Sequence, residues 1–279
     1  MSAYLHAFNG ILYRELYRFL QQRSRLLSAL VRPLLWLVVF AAGFRAALGI
    51  SIIPPYQTYI TYEVYITPGL LGVILLFNGM QSSLSMVVDR EMGSMRVLLT
   101  SPLPRAFLLF SKLLSIAVIS AFQAYVFLLI AWFFDVQAPP MGYLSLLPAL
   151  LLSGLMLAAI GLFISSLVRQ LENFAGVMNF VVFPMFFLSS ALYPLWKIRE
   201  ANEWLYWLCS INPFTYAVEL MRFWLYQQWN GPALAVVLGA TVVFTLAAIA
   251  GYNPRSGLLG RKQGPAWGSN EQNSNRRNQ

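Results

Sequence analysis

Between Glu63 and Asp89 the chain carries no charged residue, and the stretch 64–88 exceeds the roughly 20 helical residues needed to cross a bilayer core. A run of this kind cannot lie on the surface of a soluble fold, and it recurs. Comparable apolar stretches occupy 26–48, 106–134, 144–168, 174–193 and 231–252, separated by charges, prolines or aromatic clusters. The whole chain is 58% hydrophobic and only 10% charged, where soluble proteins average about 25% charged residues. The expectation is an all-α integral membrane protein with six transmembrane helices.

The cations set its orientation. Placing both ends inside puts fifteen of the 19 Lys and Arg on the inner side and leaves Arg45, Lys197, Arg199 and Arg222 outside, a clear positive-inside bias. The net charge of +9 is explained by this topology, so no nucleic-acid partner is expected. Before the first span, Leu5, Phe8, Ile11, Leu12, Leu16, Phe19 and Leu20 recur every three or four residues, which predicts an amphipathic helix lying flat in the cytoplasmic headgroup region. The first apolar run is too long for a signal-peptide core, so the N-terminus is expected to be retained. Residues 1–253 read as one transmembrane domain and 254–279 as a basic, disordered cytoplasmic tail.

Several chemistries lack their residues. A single cysteine, Cys209, allows no disulfide within the chain, and a single histidine, His6, supplies no His-based metal cluster or nucleophile pair. No Gly-x-x-x-x-Gly-Lys-Ser/Thr occurs; Gly257 to Lys262 lacks both its spacing and its hydroxyl residue. No catalytic residue, metal ligand or bound cofactor is therefore expected. No carboxylate stands firmly mid-span, which argues against a proton relay, and the lack of internal repeats argues further against an ion-coupled secondary transporter.

The polar residues at span depth are Asn78, Gln81, Ser82, Ser85, Gln123 and Asn179. They either line a pathway, with the second span as its most polar wall, or hydrogen-bond between helices. Gly154, Ala158, Gly161 and Ser165 share one face of the fourth span, where another helix can approach closely.

Two interruptions carry more. In 89–105, Val88, Met92, Met95 and Leu99 fall on one helical face while Asp89, Arg90, Glu91 and Arg96 fall elsewhere, and Pro102 and Pro104 end the helix before Arg105. This predicts a short amphipathic helix between the second and third spans. The region 197–230 is aromatic yet broken by charge, and its longest uncharged piece, 204–218, is too short to span easily and contains Asn212-Pro213. It reads as a re-entrant or interfacial helical hairpin on the outer side, with Glu219 and Arg222 spaced to pair on a helix as a structural salt bridge.

The first interruption resembles the cytoplasmic loop of type-2 ATP-binding-cassette (ABC) transporter permeases at Asp89, Arg90, Glu91, Gly93, Ser94, Leu98, Leu99, Pro102 and Arg105, with Ser94 where that family usually has Thr. The second resembles the same family at Ser190, Pro194, Asn212, Pro213, Thr215, Tyr216 and Arg222, with Ala191 where Gly is usual. The resemblance implies that 89–105, Arg96 included, is a coupling helix docking on an ATPase subunit. It implies a permease of a bacterial inner-membrane exporter, multi-pass with both termini cytoplasmic, built from two permease copies and two ATPase copies, with ATP and Mg bound on the ATPase. Expected cargo is a small amphiphilic or hydrophobic compound, with a lipid-linked polysaccharide as the alternative.

Overall fold

A computed structural model describes residues 2–21, 30–39, 54–56, 60–91, 104–168 and 171–251, all helical apart from short connections and one isolated bridge residue. The elements are α1 (Ser2–Gln21), α2 (Leu30–Val39), α3 (Tyr62–Glu91), α4 (Arg105–Trp132), α5 (Pro140–Leu167), α6 (Leu171–Phe187), α7 (Leu195–Ala201), α8 (Glu203–Ile211), α9 (Pro213–Leu225) and α10 (Gly231–Gly251). Four of these helices contain apolar stretches long enough to cross a membrane: Tyr62–Val88, Ala106–Trp132, Pro140–Leu167 and Gly231–Gly251. The expected first and fifth spans correspond to the shorter apolar helices Leu30–Val39 and Gly176–Phe187. At 1.5 Å per residue, the 17 residues of α6 reach about 26 Å, short of the roughly 30 Å hydrocarbon core. The residues of the expected coupling helix from Gly93 through Ser94, Arg96, Leu98 and Leu99 to Pro102 lie outside the described residues, as does the tail 254–279.

The bundle is organised on α5. It packs against α3, α4, α9 and α10, and it can do so because its small residues let backbones meet. A Cβ on Gly161 would sit 2.5 Å from Ser83 Oγ and 2.9 Å from the Gly79 carbonyl oxygen of α3. On the same face Gly154 meets Ala117 of α4. At its outer end a Cβ on Gly142 would come within 1.9 Å of the Leu225 carbonyl oxygen, while Ser145 Oγ donates to the Trp224 carbonyl at 2.7 Å. The last turn of α9 is thereby seated on the first turn of α5.

The N-terminal helix departs from the expected flat placement. It packs along α4: Tyr4 meets Phe107 edge-to-face near the start of both helices, and Glu15 and Phe19 are buried further along. Its apolar surface is wider than one contact can cover, so Leu5, Leu16 and Leu20 stay exposed.

The outer region 197–230 is three short helices. Two of them, α7 and α8, carry exposed Trp196, Trp204, Trp207 and Ile211. The third, α9, is buried against α3, α5 and α10.

Candidate functional site

The helix α3 runs through Asp89, Arg90 and Glu91 toward the first interruption, and α4 leaves it at Arg105. The side chains of these four lie outside the described residues. Pro104 is the N-cap of α4, and its carbonyl accepts the first regular helix bond from Leu108 at 3.2 Å and one first-turn donor, Phe107, at 3.0 Å. Beyond this junction α3 and α4 pack on each other and on α5.

The polar residues of α3 separate into distinct settings. Asn78 Nδ2 donates to Gln123 Oε1 of α4, a buried amide pair bridging two helices. Ser85 donates to the Ser82 carbonyl at 2.6 Å and accepts from the buried Lys112 at 3.1 Å. Gln81 is half-buried. Asn179 stands apart from all of these, exposed on α6 in a stripe with Gly176, Phe180, Phe183, Pro184 and Phe187, positions that fall on one helical face. The structure therefore joins Asn78 with Gln123, places Ser82 and Ser85 in adjacent turns of α3, and leaves Asn179 on a separate open face.

Sequence reasoning missed Glu15. Its carboxylate, paired with Arg14 at 3.1 Å, is buried under α1, where with Asn78, Ser82 and Ser120 it lines a cavity of about 20 Å³, room for one water molecule. The signal was its position: Glu15 lies four residues from both Ile11 and Phe19, on the apolar face of α1.

On the outer side the two halves of the second motif meet. Asn212 caps α9, accepting from the Phe214 N–H at 3.0 Å, and its amide donates to the Met185 and Leu188 carbonyls at 2.7 and 2.6 Å. One side chain thus starts α9 and satisfies carbonyls at the C-terminal end of α6. Pro213 follows at the first helical position, where its missing N–H costs nothing. Thr215 Oγ1 donates to the Cys209 carbonyl at 2.7 Å, tying α8 to α9. Burial pushes the Cys209 thiol up, which keeps it in its unreactive form. Pro194 caps α7 with extended backbone and no side-chain hydrogen bond.

Arg222 is the centre of this region. It is buried, pairs with Glu219, donates to the Ser190 carbonyl at 2.9 Å and lies 4.1 Å from the ring centroid of Tyr65. Tyr65 also donates to the Ser190 carbonyl at 2.9 Å, and Tyr62 to that of Leu192 at 3.0 Å. Burial opposes the guanidinium charge, but Glu219 and the hydroxyls of Tyr65 and Tyr56 outweigh it and hold Arg222 above its ordinary value. The pair forms at the spacing that allows it, and Arg222 also fastens the Ser190 end of the 190–194 turn to α9. Among the described residues no three His, Cys, Asp or Glu side chains group as metal ligands.

The family pattern described as ABC-2 type transporter matches residues 6–226, which takes in the first interruption and all but the last four residues of the second. The chain belongs to the ABC-2 type transporter family. A putative transport permease, ycf38, of Cyanophora paradoxa is 31% identical over 78% of this chain and 74% of its own length. The protein of the same description from Porphyra purpurea is 28% identical over 74% of this chain and 70% of its own length. The probable multidrug ABC transporter permease YbhR of Escherichia coli K12 is 31% identical over 60% of this chain and 45% of its own length. ABC-2 permeases are transmembrane subunits, not ATPases, and membership implies association with an ABC ATPase subunit.

Proposed function

We propose that this chain is the permease of an ABC exporter that moves a small amphiphilic or hydrophobic compound across a bacterial inner membrane. Two copies form the path, and two ATPase subunits that bind ATP and Mg drive it, docking on the cytoplasmic stretch 89–105. The chain itself binds no cofactor, and both termini face the cytoplasm. The observation that carries the reading beyond family membership is the open stripe of α6. An exposed amide at Asn179 between phenylalanines would be left without hydrogen-bond partners in lipid tails, a cost of several kcal/mol on the order of an unpaired polar group, so this face suits a water-accessible path or a subunit contact. Its phenylalanines offer an apolar cargo a surface, and its amide offers a hydrogen bond.

The test is ATP-driven uptake of a fluorescent amphiphile into inside-out vesicles holding the permease and its ATPase. Gly93→Trp and Glu91→Lys should insert normally yet lose transport or copurifying ATPase, by about 1–3 kcal/mol in association. Asn179→Leu should keep the ATPase and slow transport. Wild-type transport in all three would remove both the coupling stretch and the α6 stripe from the mechanism.

A further inference from the structure

A cavity of about 380 Å³, in the size range of small-molecule sites, opens on the outer side between α9, the starts of α7 and α10, and Pro54. Its charged lining is asymmetric. The Arg222 side chain is only 3% exposed and turned toward Ser190 and Tyr65, whereas that of Glu219 keeps 19% exposure. Arg222 cancels most of the carboxylate's charge at a distance, but a group inside the cavity meets the acidic end of the pair first. Trp196, Tyr216 and Phe223 stand around it, all partly exposed, and ring faces attract cations. The Trp196 ring already has one such neighbour, the Lys197 ammonium at 5.6 Å.

We propose that this cavity binds an organic ammonium ion with an apolar body, its charge at Glu219 and its body against Trp196, Tyr216 and Phe223. The same chemistry is carried by an amine-bearing cargo on its way out and by a phosphatidylethanolamine headgroup. A cargo role rests on the export reading above; the binding itself does not.

Tetraphenylphosphonium and tetraphenylborate have one shape and opposite charge, and both are measured as radiolabelled probes on the purified chain in maltoside micelles. The expected result is saturable binding of the phosphonium and not of the borate. Glu219→Gln should weaken it about tenfold, because the amide keeps the shape of the carboxylate and removes the charge that attracts a cation. Trp196→Ala should weaken it by about fivefold, on the scale of one cation–π contact, and it leaves the ion pair intact if Glu219→Gln proves unstable. Displacement by added phosphatidylethanolamine identifies the occupant as a lipid headgroup, and persistence of the probe identifies a free amphiphile. Absence of phosphonium binding, equal borate binding, displacement by phosphatidylglycerol, or wild-type binding in both variants overturns the site. Efflux by the assembled complex is scored separately. Lost binding with intact efflux sinks this site alone, and intact binding without efflux sinks the export reading alone.

Discussion

Two helices of this permease, α5 and α10, are alike in sequence and opposite in setting. Both are apolar all round, with hydropathies of 2.4 and 2.5 over their best windows, yet 67% of that window is buried in α5 and 22% in α10. Hydrophobicity therefore says that each belongs in a bilayer and nothing about what touches it. The difference lies in close approach. Gly142, Gly154 and Gly161 each bring α5 against a neighbour's backbone, whereas a Cβ on Gly239 of α10 would meet nothing within 4 Å. Leu238, Val242, Val243 and Leu246 continue that open stripe of α10, suited to lipid or to a partner. Where every surface is apolar, backbone contact and polar ties select neighbours, because lipid tails compete equally for side chains.

The severest challenge to this contrast is Arg222, a polar tie on α9, a helix too short to span and buried nonetheless. Arg222→Met leaves Glu219 without its partner and takes one of two donors from the Ser190 carbonyl, and should cost about 3–5 kcal/mol, read as the shift in unfolding free energy in mixed micelles. An unchanged stability would show that apolar packing alone holds α9 in place. Next in size is Gly161→Leu, which forces Ser83 and the Gly79 backbone away and should cost about 1–3 kcal/mol by overpacking in the same assay. The smallest effect is expected for Gly239→Leu, within about 0.5 kcal/mol of wild type in the monomer. If that variant instead changes the number of protomers per assembly in native mass spectrometry, the open face of α10 is a subunit contact and the contrast sharpens from buried versus lipid-facing to buried within one chain versus buried between two.

The outer cluster and the inner polar residues show where local reading stops. The spacing of Glu219 and Arg222 foretold an ion pair, because residues three apart share a helix face whatever surrounds them. It could not foretell that Arg222 would hold the Ser190 carbonyl or stand against Tyr65, both far away in the chain. Similarly, Asn212-Pro213 announced a break in the apolar piece, while its start of α9 and the role of its amide in satisfying α6 carbonyls appear only once α6 and α9 are brought together. For the amides at span depth, pathway wall and interhelix bond were equally open from sequence. In space Asn78 and Gln123 face each other and Asn179 faces outward.

The sequence by itself determined that this chain lives in a membrane, that it is helical, where its long uncharged helices lie and which family it belongs to. Those properties follow from uncharged length and from motifs read within one turn or loop, and neither depends on distant contacts. Tertiary structure decided which apolar helix is central, that α1 lies along α4 with Glu15 inside, and that a short, charged helix is buried while α10 of spanning length is not. Each of these rests on which residues far apart in the chain come within a few ångströms, and in an apolar solvent that choice is made by small residues and hydrogen bonds that a hydropathy profile does not weigh.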